Sequence, residues 1–177
     1  YKLHEIKKVY LTASGGPFFN FKKSQLKNVK PKDALKHPRW KMGKKITIDS
    51  SSLMNKMLEY IEAQKLFNLS KKKLDIIIHP ESLVHAIVKL KNGLSIFIYH
   101  ETSMIVPLTN AIFDGQFNIE DFYKNTKIKS KDIDDLTFFK PDKNIFPIIK
   151  IKDKVNEFPS TSIIINASNE ILVDHFL

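Results

Sequence analysis

The sequence predicts a mixed-sheet α/β (α+β) domain, followed by a linker and the start of an α-helical domain. Three observations carry that expectation. Apolar runs of strand length recur at 7–12, 74–79 and 83–99, an apolar repeat of helical spacing fills 53–67, and a second helix-compatible stretch runs from Ile148 to Leu177.

KKVYLT, residues 7–12, is a strand that delivers the chain into Ser14-Gly15-Gly16-Pro17. A strand followed by a glycine turn can present backbone N–H groups to an anion, or be an ordinary tight turn. Residues 22–45 are polar, carry Pro31 and Pro38, and show no core periodicity around Trp40 and Met42, the profile of a mobile lid. The indole in His37-Pro38-Arg39-Trp40 either closes over a ligand or is a partly buried surface tryptophan. Ile46 to Asp49 alternates as a strand, and Ser50, Ser51 and Ser52 offer N-caps to a helix whose apolar positions are Met54, Met57, Leu58, Ile61, Leu66 and Phe67.

LDIIIH, 74–79, reads as a buried strand. Next comes a hairpin, 83–91 and 94–99, joined through Asn92-Gly93 as a type I′ turn. Alternation puts Val84, Ala86, Val88 and Leu90 on one face and Leu83, His85 and Ile87 on the other. A short helix is entered through Pro107 and ends near Phe113. The domain expectation is therefore a first unit at 1–113, a linker at 114–144 with scattered aromatics, and the beginning of a helical unit at 145–177.

Composition narrows the function classes. No apolar run reaches the roughly 20 residues that a membrane-spanning helix needs. The chain has no cysteine, which removes thiolate chemistry and sulfur-ligated zinc. A net charge of +10 invites a nucleic-acid-binding module, yet Arg39 is the only arginine, and bidentate recognition of phosphates and bases favours that side chain. The lysines, spread over Lys22, Lys44, Lys71, Lys89, Lys124 and Lys150, form no single stripe and suit a solvated surface. The opening residues lack a signal-peptide pattern and the last, ILVDHFL, stop inside an apolar periodic segment, so the chain is expected to be a piece of something longer.

Chemistry is concentrated at the entry to the 53–67 helix. A helix N-terminus favours an anion, and Ser50, Asn55 and Lys56 could offer a phosphate a hydroxyl, an amide and an ammonium. Glu59 follows Asn55 by four residues and Lys56 by three, and a carboxylate beside a phosphate suggests a shared Mg²⁺ or Mn²⁺. The alternative is a capped amphipathic helix with a Lys/Glu pair on its wet face. His4, His37, His79, His85, His100 and His175 show no metal-ligand spacing, and no Gly-rich dinucleotide fingerprint exists among the five glycines.

Taken jointly, LTASGGPF (11–18), ALKHPRWKMGKKITIDSSSLMNKMLEYIEA (34–63), HPESLVHAIV (79–88) and INASNEILVDHFL (165–177) resemble 1-deoxy-D-xylulose 5-phosphate reductoisomerase, the NADPH-dependent enzyme of the non-mevalonate isoprenoid pathway. The resemblance covers essentially the whole chain. It implies that Ser14, Ser50, Asn55 and Lys56 hold the substrate phosphate, that Glu59 binds substrate and the catalytic Mg²⁺ or Mn²⁺, and that Asp49 is structural. By the same resemblance, His37, Trp40 and Met42 belong to a loop that closes over substrate and nicotinamide, His37 touching substrate, with His85 and Met104 as active-site neighbours. His37, Trp40 and His85 are the implied catalytic residues, and Met42 and Met104 the implied NADPH contacts.

The family reaction is a retro-aldol cleavage and re-addition followed by hydride reduction to 2-C-methyl-D-erythritol 4-phosphate, carried out by a homodimer. Its NADPH-binding domain and an Asp-Ser-Glu metal motif lie before the position of Tyr1, so this chain alone is not expected to catalyse. Local departures are Met57 for a usual Gly, Glu81 for a usual Gln, and HETSM at 100–104 for Gly-x-Pro-Asp-Met. A non-catalytic remnant and a basic nucleic-acid-binding module are the alternatives; the remnant should have lost Ser14, Asn55, Lys56 and Glu59, which are all present.

Overall fold

The computed structural model describes residues 2–40, 42–119 and 136–177. Four strands, β1 (Ile6–Ala13), β2 (Leu74–Ile78), β3 (Val84–Leu90) and β4 (Ser95–Tyr99), form one mixed sheet in the order β2-β1-β3-β4. β1 runs parallel to β2, with Val9 opposite Leu74 and Ala13 opposite Ile78, and antiparallel to β3. The expected strands at 7–12, 74–79 and 83–99 are all present.

One face of the sheet is covered by α3 (Met54–Leu66), which sets Met57, Tyr60 and Ile61 against Val9, Leu74 and Ile76. Met57, Tyr60 and Leu74 are fully buried, and each such side chain stabilises the fold by about 1.5–3 kcal/mol. The helix stops at a left-handed Asn68, φ 49°, where Leu69 N donates to Gln64 O at 3.2 Å and Leu69 itself enters the core. That is the Schellman termination, which satisfies the last carbonyls.

Ile46–Asp49 is not a strand. It lies within α2 (Lys44–Ser51), where Thr47 Oγ1 donates to Gly43 O at 2.8 Å and the buried Thr47, Ile48 and Ser51 share one helical face. Three β-branched residues in four gave it strand character, and packing overrode that propensity. The three serines do not N-cap α3 either. The cap position is Leu53, at φ 63°, and α2 and α3 meet in a tight corner closed by Ser52 N to Ile48 O and Leu53 N to Ser50 O, both 3.2 Å. Only Ser52 Oγ contributes, accepting from Met54 N. A left-handed leucine costs about 1–3 kcal/mol, and burial of its side chain against Ala13, Ile78 and Phe146 offsets this.

The expectation of a lid across 22–45 is corrected for its first half. Lys23–Asn28 is a 3₁₀ turn, α1 (Pro31–Ala34) follows, and Leu26, Val29, Ala34 and Leu35 pack with Phe18, Ile48 and Val173. The segment between α1 and α2 has no regular element among its described residues. The hairpin loop also differs from a type I′ turn, because Gly93 is left-handed and Asn92 is not. Gly93 N donates to Leu90 O and Leu90 N to Leu94 O, so the loop holds three residues and ends in a glycine bulge.

After α4 (Ile105–Phe113), residues 120–135 of the expected linker lie outside the described part. Phe139 then pairs with Ile78 through two 2.8 Å backbone bonds, and Ile145 and Phe146 pack on Ala13 and Leu53. The stretch expected to be helical from Ile148 is a 3₁₀ segment, Pro147–Lys154, followed by α5 (Thr161–Phe176).

Candidate functional site

The parallel strands β1 and β2 end side by side at Ala13 and Ile78, and His79 N donates to Ala13 O at 2.7 Å, so the turns that follow them are neighbours. The crevice beyond the carboxyl ends of parallel strands is where open α/β sheets bind ligands. A cavity of about 630 Å³ opens at this point.

One wall comes from the glycine turn and the α2–α3 corner. Gly15 and Gly16 have φ of 83° and 62°, and a Cβ on Gly16 would lie 2.9 Å from Ser50 O and 3.0 Å from Ser51 Cα. Only glycine permits that approach, and the approach brings Ser14 to the cavity that Ser50, Asn55 and Lys56 also line. Lys56 is the one lysine or arginine, and Glu59 the one carboxylate, among the described residues of the lining. Asn55 Nδ2 donates to Glu59 Oε1 at 2.9 Å and Lys56 Nζ to Glu59 Oε2 at 2.5 Å. Two hydroxyls, an amide, a shielded ammonium and the first turn of a helix suit an oxyanion such as a phosphate monoester.

The other wall is aromatic. His37 Nδ1 accepts from Arg39 N at 3.1 Å and Trp40 N at 2.8 Å, which puts its proton on Nε2, and Nε2 donates to Ser14 Oγ at 3.0 Å. Burial holds His37 below the usual histidine range. Trp40 meets the His85 ring edge-on at 6.3 Å, and His85 stacks on His100 at 3.6 Å while donating from Nε2 to His100 O at 2.9 Å. Burial, with the nearby His100, Lys56 and His79 adding to it, pushes His85 down to about 4. Both imidazoles are therefore neutral hydrogen-bonding groups at pH 7. Met42 and Met104 complete the lining, so every candidate site residue of the sequence faces this one cavity.

His85 reaches it by an irregularity that alternation does not foresee. The β3–β4 register jumps from Val84 opposite Tyr99 to Ala86 opposite Ile98, so His85 is the extra residue of a bulge. In consequence Val84 and Ile87, rather than alternate residues throughout, are buried. Among the described residues no group of three His, Cys, Asp or Glu could hold a metal ion. Glu59 offers a single carboxylate, a hard oxygen donor, half-exposed and on the lining of the cavity.

Comparison with known proteins bears on the family and the fold. Residues 1–67 match the model of the 1-deoxy-D-xylulose 5-phosphate reductoisomerase C-terminal domain, and residues 101–177 match a second model, the DXP reductoisomerase C-terminal domain. The reductoisomerase of Pelagibacter ubique (strain HTCC1062) is 48% identical over 177 residues, covering 99% of this chain and 45% of its own length. The chain belongs to the 1-deoxy-D-xylulose 5-phosphate reductoisomerase family.

The reductoisomerase of a Drosophila simulans Wolbachia (strain wRi) is 44% identical over 97% of this chain and 44% of its own. A crystal structure of DOX-P reductoisomerase in complex with NADPH, fosmidomycin and magnesium superimposes with a TM-score of 0.87 at 34% identity, over 98% of this chain and 42% of that one. The Zymomonas mobilis reductoisomerase, in complex with NADPH, gives 0.85 at 29% identity over 100% of this chain and 46% of that one. The chain thus spans less than half the length of the reductoisomerases it matches.

The local departures now have physical settings. Met57 is wholly buried in the core beneath α3, away from the cavity. Glu81 accepts from Thr137 Oγ1 at 2.6 Å and from Thr137 N at 3.3 Å; burial alone would raise its carboxyl, but these bonds and the adjacent His79 hold it below the usual range. His100 supplies the stack under His85. Thr12, His79, Ser82 and His100 also line the cavity and were given no role from the sequence. His79 and Ser82 do lie in one of the quoted blocks, but nothing in their spacing marked them.

Proposed function

We propose that this chain supplies the substrate-phosphate side of the active site of a divalent-metal- and NADPH-dependent enzyme that converts 1-deoxy-D-xylulose 5-phosphate to 2-C-methyl-D-erythritol 4-phosphate. One observation supports this above the rest: Ser14, Ser50, Asn55 and Lys56, from three separate segments, line a single cavity beside Glu59. In this proposal residues 1–113 belong to the central catalytic domain, 114–144 connect it onward and 145–177 begin the C-terminal helical domain, in a cytoplasmic homodimer.

Lys56 carries the charge that the phosphate neutralises, and its present partner Glu59 is then released to take up a cation as one of its ligands. When bound, Mg²⁺ or Mn²⁺ supplies Lewis-acid polarisation of substrate oxygens, and NADPH supplies hydride. Ser14 Oγ, held by Gly16 N at 3.2 Å and by His37 Nε2, has its lone pairs occupied, so its proton is directed to an acceptor such as a phosphate oxygen. Trp40 and Met42 exclude water from the aromatic wall, and neutral His85 offers shape and a fixed tautomer without charge. Met42 and Met104 furnish apolar surface for a nicotinamide ring.

The test is turnover of 1-deoxy-D-xylulose 5-phosphate by the complete protein, followed as NADPH oxidation with and without Mn²⁺. Metal-dependent oxidation is expected. Nucleic-acid binding that falls steeply with salt, with no response to the phosphosugar, would instead support the basic-module alternative.

A further inference from the structure

Ser82 Oγ is the one buried side-chain polar atom among the described residues that has no hydrogen-bond partner. The residue is 7% exposed, lines the cavity, and sits at φ 57°, a left-handed conformation unfavourable for serine. Its surroundings fix it there. Ser82 N donates to His79 O at 3.1 Å, Leu83 N donates to His79 Nε2 at 3.2 Å, and His79 Nδ1 donates to Thr137 O at 2.9 Å. A strained backbone and a desolvated, unpaired hydroxyl each lower stability, and their coincidence on a cavity wall points to a ligand-facing role.

We propose that Ser82 Oγ, turning about its single side-chain torsion, hydrogen-bonds a hydroxyl on the carbon chain of the bound phosphosugar and so selects a polyhydroxylated phosphate over a bare one. This rests on the phosphosugar function proposed above. The phosphate itself is matched by groups on the turn after β1 and the α2–α3 corner, whereas Ser82 belongs to the turn after β2. A neutral hydroxyl that both donates and accepts complements a sugar hydroxyl of the same kind. The adjacent Glu81 does not compete for it, because its carboxylate is engaged by Thr137 and by His79 at 2.9 Å.

Ser82→Ala and Ser82→Gly in the complete protein test this by calorimetry with 1-deoxy-D-xylulose 5-phosphate and, separately, inorganic phosphate. Both variants should bind the sugar phosphate about five- to tenfold more weakly and inorganic phosphate as tightly as before. Melting temperature supplies a second readout: Ser82→Ala should melt no lower than the wild type, and Ser82→Gly higher, since glycine accepts the backbone angle. Unchanged sugar-phosphate affinity overturns the proposal, as does a parallel loss for both ligands or a Tm several degrees lower for Ser82→Ala. A wild-type protein that binds neither ligand overturns the proposed function itself, and the inference with it.

Discussion

Asn169 Nδ2 donates to Asp49 Oδ1 at 2.8 Å across 120 residues of sequence, joining the C-terminal helix to the residue next to Ser50. Asp49 is 2% exposed, and its other oxygen accepts from Lys45 Nζ at 2.8 Å, which also pairs with Glu170 at 2.9 Å. A buried carboxylate is tolerated only when its lone pairs are met. Asn169→Ala should therefore destabilise the fold by about 1.5–3 kcal/mol, read by urea denaturation, and loosen Ser50 enough to raise KM for the phosphorylated substrate. Wild-type stability in that variant would show that Asp49 is held by Lys45 alone.

Gly16→Ala forces a Cβ to within 2.9 Å of Ser50 O at a φ of 62°. The expected cost is about 1–3 kcal/mol, with the cavity wall displaced where Ser14 meets the α2–α3 corner. A crystal structure or phosphate titration of the variant that matched the wild type would contradict this account of the turn.

Removing charge on either side of the Lys56–Glu59 pair should give different kinetic signatures. Lys56→Ala is expected to raise KM for the phosphosugar about tenfold or more, leaving kcat less affected, whereas Glu59→Gln should abolish metal-dependent turnover with the fold intact. Near-normal activity of Glu59→Gln with Mn²⁺ would remove Glu59 from the ligand set.

Acid should weaken the fold through His85. Its imidazole is held neutral down to about 4 in the fold by burial, facing His100, Lys56 and His79, against 6.5 when unfolded. Between those values the unfolded chain binds more protons, so stability is full above pH 6.5 and falls as pH drops towards 4. His37, lowered by burial, acts in the same direction. Chemical denaturation across that window should show a shallower slope for His85→Asn, and an identical slope would assign the acid sensitivity elsewhere.

Strong periodicity made β1, β2, the hairpin and α3 legible from the sequence, because each buries a face whose spacing is written in the residue order. The Lys44–Ser51 helix was not, since Ile46, Thr47 and Ile48 favour a strand locally and only contact with Phe18, Ala34 and Val173 decides otherwise. The candidate cavity residues were named from the blocks at 11–18, 34–63 and 79–88, with Met104 beyond them, and their convergence is visible in the turn after β1, the corner at Leu53 and the bulge at His85. Ser82 and His100 carry no role that the sequence assigns. The orphan hydroxyl of one and the ring stack of the other arise from a left-handed turn and a register shift that no single-sequence pattern encodes.

The place of β1 in the sheet bears on how the molecule assembles as it is made. It is made before either of its sheet neighbours, which begin at Leu74 and Val84, so it waits unpaired while the whole stretch between Ala13 and Leu74 is translated. Such distant pairings slow folding. The Ser14 turn at the end of β1 cannot be fixed until β2 and β3 arrive, so a lesion that merely weakens the 84–99 hairpin should delay maturation of the ligand cavity and lengthen the interval in which an apolar strand is open to chaperones and aggregation.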